Sequence, residues 1–293
     1  MARILAVLSA CLLAASANAQ TSPMSDADPA LFGVADDDTT IWLFGTIHML
    51  DGKSSWFDEA IRDAFDESSE LVLETVEPDA ATSQQIVLEK AIDLEGPTLS
   101  ESLPAATMAA LSAELSRGGI PLAAVEPMDP WMAALTLVQL QYQRLGLRPE
   151  SGAEELLKTA AAETGKPVSG LEDFEWQLDL FDTMPEEAQI AFLQEGIEEL
   201  ANAETFIAEM VAAWNAGDMK TLSGLMNEGL QANPDLRRRL LTQRNANWAA
   251  WIQDRLETPG TVFVAVGAGH LGGEDSVQAQ LKTLGIETVR VDY

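Results

Sequence analysis

The sequence predicts an α/β protein with a largely parallel sheet and a large helical layer or insertion. Three apolar runs indicate buried strands: TTIWLF at 39–44, LVL at 71–73 and TVFVAV at 261–266. Long stretches rich in Ala, Leu, Glu and Gln lie between them, mainly over about 80–255, and this composition is typical of helices. Because strands that alternate with helices favour parallel pairing, the helical middle is expected to cover the sheet.

The first strand is stopped by Gly45, and a helix is expected to follow it. Ser55 and Asp58 form a capping-box pattern at the start of that helix. An apolar stripe at helical spacing follows, made of Trp56, Ala60, Ile61, Ala64 and Phe65. The second strand is closed by Glu74, which therefore stands at its carboxyl end.

Caps and chain breakers predict the later elements. The segment KPVSGL at 166–171 is a short or edge strand, because it contains Pro and Gly. The pattern TMPE at 183–186 opens a helix whose apolar positions continue to Gly217, and another helix opens near Asn233. Residues 287–291 supply a last strand.

The first 19 residues, MARILAVLSACLLAASANA, have the basic start, apolar run and small residues of a secretory signal peptide, cut after Ala19. The single cysteine, Cys11, also fits a bacterial lipoprotein cleavage site, but its apolar run would be short. Residues 20–38 are polar and acidic and are expected to form a flexible arm. A single domain is then expected over 39–293, in a periplasmic or secreted protein.

The charge balance is strongly acidic, since 47 Asp and Glu residues oppose 17 Lys and Arg residues and give a formal net charge of −30 at pH 7. Such a chain repels a phosphate backbone, which excludes nucleic acid as a partner, and it suits divalent cations and basic partners. No apolar run after the signal peptide is long enough to span a membrane. Once that peptide is removed no cysteine remains, which excludes disulfides and thiol chemistry.

The chain has two histidines, and they stand in matching contexts. The motif GTIH at 45–48 follows the first strand, and GAGH at 267–270 follows the strand at 261–266. In open α/β sheets, binding sites lie outside the carboxyl ends of the strands, so both imidazoles are expected at one edge. Two unrelated histidines that satisfy loop carbonyls are the alternative, but the matching contexts favour a shared functional site.

Five segments in order carry a resemblance to a known family: the paired Gly-x-x-His motifs, LVLE, GKPVSGLEDFEWQL, RNANW and VFVAVGAGHLGG. Over 41–291 the chain resembles the TraB/GumN proteins, which include bacterial pheromone-shutdown proteins, the GumN proteins of polysaccharide gene clusters, and animal Tiki proteins described as metal-dependent proteases. The resemblance implies a core like that of erythromycin esterases and haem-binding ChaN-like lipoproteins. It is a safer guide to the fold than to the reaction, because one fold hosts many reactions.

The resemblance implies a central polar cluster of His48, Glu74 and His270, with Glu172 and Arg244 in support. Two imidazoles and a carboxylate suit a divalent metal ion and leave a position open for water. Glu172 would then take the proton of that water as a general base. Arg244 would neutralise a developing oxyanion or hold a metal-bound carboxylate in place.

Each supporting residue also has a simpler interpretation. Glu74 could be a solvated residue where a strand exits, and Glu172 could serve the start of a helix. The stem of Arg244 could pack on tryptophans while its head reaches solvent. Where many relatives have Gly-hydrophobic-Asp, this chain has GAE at 152–154, which leaves the role of Glu154 open.

The function predicted from the sequence is a divalent-metal-dependent hydrolase that acts on peptide or related amide or ester bonds. A serine hydrolase is not favoured because Gly-x-Ser-x-Gly is absent, and neither an HExxH helix nor a correctly spaced dinucleotide motif occurs. Two alternatives stay open: a non-catalytic protein that binds a metal or a haem-like ligand, and an accessory factor in polysaccharide export.

Overall fold

The computed structural model describes residues 24–231 and 233–293. The predicted signal peptide and Cys11 lie outside these residues. Within the described ranges, no helix has both the length and the apolar character that crossing a membrane requires.

A six-stranded, mostly parallel sheet forms the centre of the fold, as the sequence predicts. Its strand order is β6-β5-β7-β3-β2-β8, and β1 pairs separately with β4. The four strands β6, β5, β7 and β3 run parallel, β2 is antiparallel to β3, and β8 is antiparallel to β2. The strands are β1 Ser25–Asp26, β2 Leu31–Ala35, β3 Thr39–Thr46, β4 Ser54–Ser55, β5 Glu70–Thr75, β6 Val168–Glu172, β7 Gly260–Gly267 and β8 Val289–Arg290.

Helices make up most of the remaining structure and occupy the middle of the chain. Most are regular α-helices, but the stretch before α12 is a π-helix, Arg238–Thr242. The helices are α1 Glu59–Glu67, α2 Ala80–Ala91, α3 Leu99–Ser102, α4 Ala105–Arg117, α5 Pro130–Arg144, α6 Ala153–Thr164, α7 Phe174–Asp182, α8 Glu186–Glu199, α9 Ala203–Asn215, α10 Met219–Gln231, α11 Pro234–Arg237, α12 Gln243–Leu256 and α13 Val277–Thr283.

Among the differences from the expected elements, three change the description of the fold. The arm predicted over 20–38 is wrong for 31–35, which pairs with β3 because Leu31 and Val34 bury their side chains in the core. The first helix begins at Glu59, with Asp58 as its N-cap, and the Ser55 hydroxyl bonds to the Asp58 carboxylate instead of capping the helix. The helix expected from 183 to 217 is two helices, interrupted by a 3-10 turn over Leu200–Asn202.

Both faces of the sheet are buried, which explains why its strands read as continuous apolar runs. Along β3, Phe44 packs on one face with Phe65 and Trp214, whereas Leu43 packs on the other face with Trp248. This alternation is the two-residue period of a strand. Because β6, β5, β7 and β3 are parallel, their carboxyl ends all lie at one edge of the sheet, where the predicted polar residues follow them.

Candidate functional site

His48 lies in the turn that follows β3, and its side chain is 76% exposed. Its Nδ1 atom is 2.8 Å from Oε1 of Glu154, in the first turn of α6. The Thr46 hydroxyl donates a hydrogen bond of 2.5 Å to the same oxygen. Glu154 Oε2 is buried and accepts no hydrogen bond from the described residues. Glu154 therefore contacts both His48 and Thr46 through a single oxygen, Oε1.

The backbone brings these two side chains together. The Ala153 amide donates a 3.0 Å hydrogen bond to the Ile47 carbonyl oxygen. A Cβ atom on Gly152 would lie only 2.1 Å from the His48 carbonyl oxygen, so only glycine allows this approach. The start of α6 is therefore docked directly on the turn that carries His48.

The carboxylate changes the pKa of the imidazole beside it. The charge of Glu154 and the hydrogen bond that it accepts from the ring raise the pKa of His48 to about 9. Burial alone would raise the pKa of Glu154, but the charge of His48 and its hydrogen bond hold that pKa below its usual range. The pair is therefore an imidazolium and a carboxylate at neutral pH.

Arg244, on α12, lies at the centre of a second group of polar residues and is only 9% exposed. Its Nε donates to Glu172, and its Nη2 donates to both Glu172 Oε2 at 2.7 Å and Glu74 Oε2 at 2.8 Å. Its Nη1 lies 3.3 Å from the Leu240 carbonyl oxygen and 3.2 Å from His270 Nε2. These contacts use all five N–H groups of the guanidinium.

Glu172 and Glu74 are held by further donors. Glu172 also accepts hydrogen bonds from Trp248 Nε1 and Gln177 Nε2, both at 2.8 Å. Glu74 accepts one from the Gly267 amide at 2.6 Å. Burial acts to raise the pKa of Glu74, but the charges of the histidines and of the guanidinium, together with this amide, lower it to about 2. Glu74 is therefore ionised at neutral pH.

The tautomer of His270 follows from its partners. Asn245, fully buried, donates through Nδ2 to the Asp275 carbonyl oxygen at 2.7 Å, which assigns its Oδ1 to face His270 Nδ1 at 2.6 Å. The proton is therefore on Nδ1, and Nε2 accepts from Arg244. Burial lowers the pKa of His270 to about 4, so the ring is neutral at neutral pH.

The five residues singled out by sequence all lie at this edge of the sheet. Glu74, Glu172, Arg244 and His270 form one connected cluster, which we call the Arg244 cluster. His48 is not bonded to it, but its charge lowers the pKa of His270. Sequence reasoning left Glu154 open and missed the roles of Thr46 and Asn245. The available signals were their positions inside the GTIH and RNANW segments.

The Arg244 cluster bears on the predicted metal site. Imidazoles and carboxylates are suitable ligands in type. However, Glu74, Glu172 and His270 all direct an acceptor atom at the guanidinium, so a cation already stands between them. Among the described residues, no three His, Cys, Asp or Glu side chains are arranged to hold a metal ion. The residues in this arrangement do not fit a metal ion.

Comparisons with known proteins place the chain among relatives. The model of the TraB/PrgY/gumN family matches residues 30–290. Two proteins named "Uncharacterized protein YbaP", from Escherichia coli (strain K12) and Shigella flexneri, are 33% identical over 155 residues. Those matches cover 52% of this chain and 56% of each relative, so about half of the relatives' length is matched. No solved structure matches significantly.

Proposed function

This chain belongs to the TraB/PrgY/gumN family, and on that premise we propose that it hydrolyses peptide or related amide or ester bonds. The observation that carries the proposal is the pairing of an exposed imidazole, His48, with a largely buried carboxylate, Glu154, at 2.8 Å. A surface histidine needs no such partner, whereas a general base benefits from one that fixes its tautomer and stabilises its protonated form.

The geometry suggests how His48 would act. Glu154 occupies Nδ1, and no hydrogen bond from the described residues reaches Nε2. In its neutral form the ring takes a proton from water at Nε2 while the water oxygen attacks the substrate carbonyl carbon. As the bond from that carbon to nitrogen or oxygen breaks, Nε2 returns the proton to the leaving atom. Thr46 holds Glu154 in position through its hydroxyl.

The Arg244 cluster lies at the same edge of the sheet as this imidazole. Since every guanidinium N–H is already used, Arg244 positions Glu74, Glu172 and His270 and has no donor left for an oxyanion. The base role expected for Glu172 stays a prediction. The hydrogen bonds weigh against it, because Arg244, Trp248 and Gln177 together occupy both of its oxygens.

Two further expectations belong to this proposal. The core would be like that of erythromycin esterases and ChaN-like lipoproteins, and the site of action would be the periplasm or the cell exterior. The expected core rests on the resemblance, and the expected location rests on the signal-peptide pattern of the first 19 residues. Metal dependence stays a prediction of the sequence alone and forms no part of the proposed mechanism. No step is assigned to a metal here, because the guanidinium stands where the ion would bind.

The test is cleavage of a fluorogenic peptide and ester library by the wild-type protein and by two variants. His48→Gln and Glu154→Gln should both lose turnover and stay folded. Glu155→Gln is the matched control, because Glu155 is the next residue of α6 and its side chain is 47% exposed. If the wild-type protein cleaves nothing in the library, the proposal fails and the non-catalytic binding alternative gains support.

A further inference from the structure

Strand β6 forms one edge of the sheet. Within the described residues it pairs with β5 alone, and Ser169 and Gly170 are exposed. Leu71 lies opposite Val168 and donates to the Pro167 carbonyl oxygen. In a parallel ladder the N–H and C=O groups of one residue point to the same side and those of the next residue to the other, so those of 167, 169 and 171 face β5. The N–H and C=O groups of Val168 and Gly170 therefore point outward.

This open edge leads into the candidate site. The last residue of β6 is Glu172, which binds Arg244 at 2.7 Å. A chain laid along β6 advances about 3.3 Å per residue, so a few residues carry it from the middle of the strand to the Arg244 cluster. The opposite edge has no such continuity, because no residue of β8 belongs to the Arg244 cluster.

The surroundings of this edge favour one kind of ligand. Exposed carboxylates follow the carboxyl ends of both β5 and β6, at Glu77, Asp79 and Asp173, and Glu175 beside them pairs with Lys90 at 3.1 Å. Exposed apolar side chains accompany them, since Val76 is 40% and Trp176 is 38% exposed. The whole chain carries a net charge of −30, so a cationic chain is attracted from a distance.

We propose that an extended, basic polypeptide binds by adding a strand to the free edge of β6, which leads it to the Arg244 cluster, at the same edge of the sheet as His48. Main-chain hydrogen bonds to Val168 and Gly170 supply the affinity, and the carboxylates select Lys and Arg side chains. The inference rests on the proposed function and names its substrate class. It also accounts for the exposed strand, since an edge left unprotected is otherwise a liability.

The test uses His48→Gln protein, which binds without cleaving, and ten-residue peptides that alternate Lys with Val or Glu with Val. At low salt the Lys–Val peptide should bind at least tenfold more tightly than the Glu–Val peptide. In a strand, alternate N–H groups face the partner. N-methylation of one alternating set of the Lys–Val peptide should therefore abolish binding, while N-methylation of the other set leaves it within threefold. The amides of Val168 and Gly170 should exchange more slowly in the complex.

Ser169→Lys tests the surface from the protein side. It places a cation on the exposed edge and should weaken binding of the Lys–Val peptide at least tenfold. The control is Val289→Lys, on the opposite edge, where the side chain is 68% exposed and no effect is expected. Equal effects of the two N-methyl sets, or unchanged exchange at Val168 and Gly170, would overturn the inference.

The two proposals fail in different ways. Slowed exchange along β6 with no cleavage by the wild-type protein would leave the edge as a docking surface and refute hydrolysis. Cleavage of the Lys–Val peptide without slowed exchange along β6 would refute docking and leave hydrolysis standing.

Discussion

Oε1 of Glu154 lies 2.8 Å from Nδ1 of His48, although Glu154 is on helix α6 and His48 follows strand β3 of the sheet. This contact joins the helical layer to the sheet at the candidate site. It also sets the protonation of the exposed imidazole, from which the first two predictions follow.

The two histidines should titrate on opposite sides of the usual value. Because the chain has only two, their ring signals in NMR spectra can be separated. His48 should titrate near pH 9, and His270 near pH 4. Below its unfolded pKa, His48 contributes stability that is lost as the pH rises through 9. His270 contributes stability at pH values above its unfolded pKa, and this is lost as the pH falls towards 4. Titration midpoints near pH 6.5 for both histidines would contradict the environments described for His48 and His270.

At pH 10, where His48 is largely neutral in both proteins, Glu154→Gln should reduce turnover by about 10²-fold or more, because an amide cannot stabilise the imidazolium formed during proton transfer. The pKa of His48 should fall towards its usual value in the same variant. Rates are measured from pH 6 to pH 10, where wild-type turnover should rise with the neutral fraction of His48. A variant that keeps the wild-type pH profile would remove Glu154 from the mechanism.

Asn245→Leu should lower the free energy of unfolding by about 1–3 kcal/mol, because the buried Nδ1–H of His270 loses its acceptor. Urea unfolding measures this change. Asn245→Asp should instead raise the pKa of His270, since a carboxylate beside Nδ1 favours the imidazolium. Asn247→Leu is the matched control, because Asn247 is exposed on the same helix. Equal destabilisation by both leucine variants would argue against a specific role for Asn245.

Arg244→Met should destabilise the fold by about 3–5 kcal/mol, because it leaves Glu74 and Glu172 buried without their counter-ion. Arg244→Lys keeps the charge but cannot bridge both carboxylates, so an intermediate loss is expected. Arg238→Met is the control, since the Arg238 side chain is 68% exposed and should matter by less than about 0.5 kcal/mol. Wild-type unfolding curves for both Arg244 variants would reduce this residue to a packing role.

Chelation should leave turnover unchanged, because in this arrangement the guanidinium of Arg244 already neutralises Glu74 and Glu172. The measurement compares peptide cleavage before and after treatment with EDTA, together with the metal content of the protein. Loss of activity that a divalent ion restores would return the site to the metal-dependent mechanism expected from the sequence. Arg244 would then have to adopt another conformation.

The sequence was most informative where the chain is regular. Apolar runs predicted the strands at 39–44, 71–73 and 261–266, and parallel pairing then brought His48 and His270 to one edge. It was least informative about partners from distant elements. Nothing in the sequence near Glu154 shows that α6 docks on the turn that carries His48. Asn245 likewise looks like any helical Asn until its burial is known. The early strand Leu31–Ala35 was missed because Gly33 and the acidic flanks hide its apolar period.

The close approach at Gly152 means that activity can be lost through a residue that has no functional group. Any side chain there would collide with the His48 carbonyl oxygen and push the helix away, separating the imidazole from its carboxylate while leaving both unchanged. A relative that keeps both histidines, all three glutamates and the arginine could therefore be inert. Inspection of those residues alone would not distinguish it from an active protein, and position 152 would.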